Sequence, residues 1–278
     1  MESPDLEQRP GPLARVRVTE WGPAGQRLRE DRVVAEEPLE IRLAGPHVPT
    51  SRIWVTMRTP GHDFELAAGY CLHEGLVSLA DVQQVAYCTD ADLRPEQEFN
   101  VVTVTVAGPA DSSVVRRLPA LSVGSSACGV CGKDSIESVL RITRRTPWAG
   151  ALPDPDLVRT LPDRLRAEQK LFEATGGVHA AGLFTDRGEP LVVREDVGRH
   201  NAVDKVTGAR VLAGQDPAAA CLVVSGRASF ELVQKAVSAG IGSLVAVGAP
   251  SSLAVRLAQQ SGLTLYGFAS SQRCVRYV

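Results

Sequence analysis

The chain has 278 residues, 44% hydrophobic and 22% charged, a composition that fits a globular protein of one or two domains. A net charge of −2 supplies no broad basic field, so nucleic-acid binding has nothing in its favour. No apolar run reaches the length of about eighteen residues that a membrane span needs, and the Pro-rich, polar start lacks the apolar heart of a secretory signal; a cytoplasmic protein without a membrane partner is expected.

Residues 1–12 are predicted to be a disordered lead-in. Residues 13–110 form a smaller N-terminal α+β domain. Its strands are expected over Ala14 to Thr19, Val33 to Leu43 with a break at Glu36-Glu37-Pro38, Arg52 to Arg58, Val82 to Cys88 and Phe99 to Val106. Its helix is expected over His62 to Glu74, where Phe64, Leu66, Ala67, Tyr70 and Cys71 recur at helical spacing. Residues 111–150 connect this part to the rest. Residues 151–278 open with a helical stretch in which Pro155 and Pro162 suit a first turn, and Thr175-Gly176-Gly177 ends it. A hairpin follows, Val178 to Thr185 and Leu191 to Glu195, joined by Asp186-Arg187-Gly188. Helices over Arg199 to Leu212, Ser229 to Ala239 and Ser251 to Ser261 then alternate with short apolar strands over Ala220 to Ser225, Leu244 to Val247 and Leu263 to Phe268. Strands apolar on both faces lie between helix layers. The fold class is therefore α/β within an α+β whole: a three-layer α/β/α C-terminal domain whose sheet is mostly parallel with one antiparallel strand.

The connector carries Cys128-Gly129-Val130-Cys131-Gly132, followed by Lys133 and by Asp134-Ser135-Ile136-Glu137, a capping box that starts a helix. A thiol near a helix N-terminus and a lysine ionises readily, and the thiolate is the form that attacks or carries sulfur. Two other readings stay open. The pair could be half of a zinc site completed by a second copy of the chain, or a redox dithiol. Cys71, Cys88, Cys221 and Cys274 stand apart and are expected to be buried small hydrophobes. His62 and His73 are expected to be structural, and Trp21, Trp54 and Trp148 to be packing residues.

A dense polar run, Arg194 to Lys205, joins a strand to a helix. It sets Arg199, His200 and Asn201 at a helix N-terminus, where amide donors and the helix dipole favour an anion; Asp196 could act there or merely cap. Ser225-Gly226-Arg227-Ala228-Ser229 and Gly248-Ala249-Pro250-Ser251 repeat the strand-to-helix turn and fall on the same sheet edge. His179 begins a strand just after Thr175-Gly176-Gly177. Only four of 30 basic residues are lysine, and arginine suits anion recognition.

With these motifs in order, the chain resembles the FdhD/NarQ family of formate dehydrogenase accessory sulfurtransferases from about Val33 to Phe268. The resemblance rests on His62-Asp63-x-Glu65-Leu66-Ala67 with Glu74-Gly75, the Cys128/Cys131 loop, Thr175 to Ala181, Glu195 to Lys205 and Ser225 to Glu231. It implies a carrier that takes sulfur as a persulfide from a cysteine desulfurase. The sulfur passes to the molybdenum or tungsten bis-molybdopterin guanine dinucleotide needed by formate dehydrogenase. It also implies a homodimer, a cytidine-deaminase-like C-terminal domain, and a GDP-like nucleotide as a surrogate ligand. The deaminase zinc motif is missing, so no structural metal is expected. By position, Cys128 is the persulfide carrier and Cys131 its partner. The cofactor-binding residues implied are Thr175, Gly176, Gly177, His179, Asp196, Arg199, His200, Asn201, Ser225, Gly226, Arg227, Ser229, Gly267, Phe268, Ala269, Ser270, Ser271, Gln272 and Arg273. Within the last segment Ser270 and Ser271 stand where the family has arginine and glycine. The alternatives are a cofactor-binding chaperone with incidental thiols and a zinc-stabilised dimer.

Overall fold

A computed structural model of the chain describes residues 10–46, 48–78, 81–89, 93–94, 97–107, 146 and 148–278. Strands β1 (Leu13–Gly22) and β2 (Gly25–Val34) form an antiparallel hairpin with its own two-stranded sheet. A four-stranded sheet follows, built from β3 (Glu37–Gly45), β4 (Val48–Arg58), β5 (Val82–Tyr87) and β6 (Val101–Val106) in the order β4-β3-β6-β5. Leu39, Ile41, Leu43, Ile53, Val102 and Val104 point from it to one side and are buried against helix α1 (Asp63–His73). The alternation that marks β3 and β6 in sequence is thus the period-2 signature of one covered face.

The second half builds a six-stranded sheet in the order β12-β11-β10-β9-β7-β8. Its strands are β7 (His179–Phe184), β8 (Pro190–Asp196), β9 (Cys221–Val224), β10 (Ser243–Ala246), β11 (Thr264–Ser270) and β12 (Arg273–Arg276). Its helices are α2 (Pro155–Ala167), α3 (Lys170–Thr175), α4 (Arg199–Leu212), α5 (Phe230–Ala239) and α6 (Ser252–Ser261). Side chains alternate between two cores. Leu183, Leu222, Val224, Leu244, Ala246 and Leu265 meet α4, α5 and α6. Cys221, Val223, Val245 and Tyr266 face the opposite way and meet Val158, Leu161 and Leu165 of α2. Each fully buried Leu, Ile or Val contributes roughly 1.5–3 kcal/mol relative to exposure, so the three-layer order follows from apolar residues on both sheet faces.

Helix α1 joins the two halves. Leu66, Ala67, Tyr70 and Cys71 pack on the four-stranded sheet, while Ala68 and Leu72 meet Val211 of α4. The backbones of α1 and α4 approach so closely that side chains are excluded where they cross. A Cβ on Gly69 would sit 1.9 Å from the Asp204 carbonyl oxygen, and one on Gly208 would sit 1.8 Å from that of Glu65. Beside this crossing lies a buried charge cluster. Asp204, wholly buried, accepts from Lys235 Nζ of α5 at 2.7 and 3.0 Å and contacts His73 Nδ1 of α1 at 2.5 Å. His73 is thus structural, as its sequence context suggested.

Four details depart from the sequence reading. The hairpin strand β2 spans Gly25–Val34, where the sequence predicts a strand only from Val33 onward; half of its residues are charged and they carry no apolar period. Pro162 lies inside α2 rather than opening a helix, and a separate short α3 follows. Strand β12 was not foreseen, so two strands, β7 and β12, run against the other four instead of one. Trp21 is no packing residue: it is 76% exposed. Trp54 does pack, stacked on Tyr70 at 4.2 Å. The capping box at Asp134 and the thiol pair lie outside the described residues.

Candidate functional site at the carboxyl edge of the sheet

Strands β8, β9, β10 and β11 run in one direction, so their C-terminal ends open on a single edge, where β7 and β12 begin. The loops there are stitched together through their backbones. Gly248 N donates to Gly226 O at 2.9 Å, Ser251 N to Ala228 O at 3.0 Å, and Phe268 N to Gly248 O at 3.1 Å. The result is a continuous ledge made of the turns after β9 and β10 and the end of β11. Gly248 is needed for this, because a Cβ would lie 2.9 Å from Arg227 Cγ and 3.1 Å from Arg227 Cα.

Cationic and aromatic side chains rise around the ledge. Arg199 opens α4, and its Cδ comes within 3.7 Å of the point where a Gly226 Cβ would stand; His179 Nδ1 comes within 3.6 Å. Arg199 Nε is buried and finds no hydrogen-bond partner among the described residues. His179 is held below the ordinary histidine value, first by burial and then by the neighbouring Arg199 and His200. His200 Nε2 lies 2.7 Å from Glu231 Oε2 and 3.3 Å from Ser229 Oγ. Ser229 occupies the N-cap position of α5, yet its hydroxyl makes no cap bond and faces His200 instead. Arg227 is exposed. Phe268 has a left-handed backbone at φ 50, is 37% exposed, and lies beneath the Arg273 guanidinium at 5.0 Å. A positive φ on a bulky residue costs energy, and such strain collects where a side chain must be aimed.

A second set of residues stands behind the ledge and fixes it. Asp196 is fully buried. Its Oδ2 meets Lys205 Nζ at 2.7 Å and Thr59 N at 3.2 Å; its Oδ1 accepts from Gly198 N at 2.8 Å and Asn201 Nδ2 at 3.0 Å. Asn201 Nδ2 also donates to Met57 O. Every polar group of Thr59 is engaged by this loop, since Thr59 Oγ1 accepts from Val197 N at 3.0 Å and Thr59 O from Lys205 Nζ at 2.9 Å. The end of β4 therefore clasps the start of α4. Ser225 Oγ accepts from Ala180 N at 2.9 Å, which ties β9 to β7.

The sequence-derived residues separate accordingly. His179, Arg199, His200, Gly226, Arg227, Ser229, Gly267, Phe268 and Arg273 meet on one edge. Asp196, Asn201 and Ser225 have their polar atoms turned inward. Thr175 Oγ1 bonds to Leu171 O, and Gly176 and Gly177 are exposed in the approach to β7. Ala269 is buried, while Ser270, Ser271 and Gln272 turn the chain into β12, with Arg273 N donating to Ser270 Oγ at 3.3 Å. Thr59 and Glu231 were not singled out from sequence; Thr59 gives no signal there, and Glu231 ends a quoted motif. Cys128 and Cys131 lie outside the described residues. Of the other thiols, Cys71 and Cys221 are buried and burial raises both, Cys221 to about 12, which makes them poor nucleophiles. Cys88 and Cys274 are half-buried rather than fully so.

With loop amides, a helix N-terminus and three arginines on one edge, the arrangement can hold an anionic, nucleotide-like ligand. No helix among the described residues is long and apolar enough to cross a membrane.

The model of the FdhD/NarQ family matches residues 34–278. A sulfur carrier protein FdhD of Nocardia farcinica is 50% identical over 258 residues, covering 92% of this chain and 89% of the relative. One of Mycobacterium tuberculosis is 47% identical over 249 residues, covering 86% and 87%. A crystal structure from Desulfotalea psychrophila, described as a formate dehydrogenase accessory protein, superposes with a TM-score of 0.72 at 22% identity, covering 96% of this chain and 97% of that one; it supports the fold. The chain belongs to the FdhD/NarQ family.

Proposed function

We propose that this protein is a sulfur carrier that accepts sulfur from a cysteine desulfurase at Cys128 and delivers it to a bis-molybdopterin guanine dinucleotide cofactor bound at the carboxyl edge, in the service of formate dehydrogenase. The Cys128 thiolate attacks the outer sulfur of the donor's persulfide, the donor's S–S bond breaks, and the donor thiolate leaves. The Cys131 thiolate, three residues on, can then attack the Cys128 sulfur; the persulfide S–S bond breaks, a Cys128–Cys131 disulfide forms, the outer sulfur leaves as hydrosulfide for the cofactor, and a thiol reductant reopens the disulfide. The cofactor is cargo here, and the ledge residues hold its nucleotide ends: loop amides and Arg199 for phosphate, and Phe268 with Arg273 as a stacking surface for a base.

The observation that carries the binding half of this reading is the buried Arg199 Nε without a partner among the described residues. A buried donor left unpaired costs about 1–3 kcal/mol, and an anion on the ledge would satisfy it. Curated relatives named as sulfur carriers support the other half. The test joins both. GDP titrated into the protein should bind, and binding should survive Cys128→Ala. Incubation with a desulfurase and cysteine should add the mass of one sulfur atom to the wild type and not to Cys128→Ala. Sulfur loading that persists in Cys128→Ala contradicts the carrier assignment. Nucleotide binding without any loading, together with full activation of formate dehydrogenase by Cys128→Ala, would favour a cofactor chaperone instead.

A further inference from the structure

The β1–β2 hairpin serves no part of the site just described, yet it is built in an uneconomical way for a free ribbon. Two ten-residue strands pair with each other and, among the described residues, with no third strand. A two-stranded hairpin has marginal stability alone and exposes both of its edges. Its register sorts the side chains into two unlike faces. On one face Glu20 pairs with Arg27 and Arg29, and Arg29 pairs with Asp31, so charges balance. On the other, among the described residues, Arg15, Arg17 and Arg32 stand against Glu30 alone, and only Arg15 is paired to it, at 3.2 Å. Arg15 lies directly opposite Arg32, and like charges across a strand pair destabilise it. The same face carries Trp21, 76% exposed, and Leu28, 81% exposed, as diagonal neighbours toward the turn.

Exposed tryptophan beside surplus arginine is the composition of a protein-binding surface, and the surplus charge calls for an acidic counterpart. A second copy meeting the first through this face would bring together two faces of the same surplus charge. Nucleic acid on this face would meet the Glu30 carboxylate set among the arginines. Position narrows the partner further. The hairpin leaves the body beside the functional edge: α3 packs on β2, and Val34 Cγ1 lies 3.2 Å from the point where a Gly177 Cβ would stand, two residues before His179. A protein bound to the hairpin therefore lies next to the ledge and its cargo.

We infer that this face of the hairpin docks the acidic surface of the protein that receives the cofactor, the dehydrogenase apoprotein. The inference rests on the carrier reading above. The test uses the full chain, purified apo-formate dehydrogenase as the probe, and two double variants, Arg17→Glu/Arg32→Glu and Trp21→Ser/Leu28→Ser. Wild-type binding should weaken as salt rises. Each variant should bind the apoprotein at least about tenfold more weakly, while GDP binding and sulfur loading of Cys128 stay at wild-type levels. Unchanged affinity in both variants overturns the inference. So does loss of self-association in the variants without loss of apoprotein binding, which would make the face a contact between copies. Competition by duplex DNA for the same face would also overturn it. A wild type that loads sulfur but does not bind the apoprotein removes the docking inference and leaves the carrier reading intact; a wild type that takes no sulfur removes the reading and the inference with it.

Discussion

Replacing Arg199 by methionine should move binding and stability in opposite directions. The guanidinium opens α4 beside Gly226, and its Nε is buried without a hydrogen-bond partner among the described residues. A hydrogen bond to a charged group contributes about 1.5–3 kcal/mol. At about 1.4 kcal/mol per decade, losing one such bond to a nucleotide phosphate should weaken GDP binding by roughly ten- to a hundredfold. Methionine fills a similar path through the protein and brings no unpaired donor. The ligand-free variant should therefore be no less stable than the wild type, and up to about 1–3 kcal/mol more stable. That is a rise of a few degrees in Tm for a chain of this size, at roughly 2–4 °C per kcal/mol. Calorimetric titration with GDP reads the first effect, and thermal denaturation of the apoprotein reads the second. A fall in Tm with GDP affinity unchanged would show that Arg199 supports the fold and not an anion, and would remove the argument for the ledge.

Three further outcomes are expected. Thr59→Val leaves Val197 N without its 3.0 Å acceptor, so GDP affinity should drop with a stability loss of about 1–3 kcal/mol, and Thr59→Ser should restore both; equal behaviour of the valine and serine variants in a GDP titration would contradict the clasp. Lys235→Met strands the carboxylate of Asp204, which lies fully buried against Lys235 Nζ and His73. Breaking a buried pair costs about 3–5 kcal/mol, so urea unfolding should show a loss of that order, and a loss below about 1 kcal/mol would mean the cluster is not the tie between α1, α4 and α5. Burial pushes the Glu65 carboxyl up, but hydrogen bonds from Arg194 and His62 prevail and hold it at about 2, below its ordinary 4.5. Its pKa is depressed on folding, so its contribution is complete above pH 4.5 and fades as the pH falls toward about 2. The stability gap between wild type and Glu65→Gln, followed by urea midpoint against pH, should close over that window; a gap that ignores pH would refute the assignment.

The C-terminal sheet was legible because its strands are short apolar runs bounded by Gly turns, and its helices show apolar periodicity. Shared strand direction then put the turns after β8, β9 and β10 on one edge, which is why the polar motifs could be grouped from sequence. The hairpin strand β2 was not legible: Gly25–Val34 holds few apolar residues and is defined by its partner β1, not by a period. Strand β12 is four residues long and exists by pairing with β11. Residue type alone misled at Trp21, whose exposure depends on what stands above the hairpin. The clasp at Thr59 could not be read at all, because its partners Val197 and Lys205 are well over a hundred residues away and the bonds use its backbone as much as its hydroxyl. Asp196 was found but not its orientation, since only the folded register shows that both carboxylate oxygens face inward.

The most direct measurement follows labelled sulfur. Radiolabelled cysteine, a cysteine desulfurase, this protein and the bis-molybdopterin guanine dinucleotide cofactor are combined, and the cofactor is re-isolated and counted. Label should reach the cofactor with the wild type and remain at background with Cys128→Ala. Label that reaches the cofactor equally with Cys128→Ala, or that loads Cys128 and never leaves it, contradicts the account.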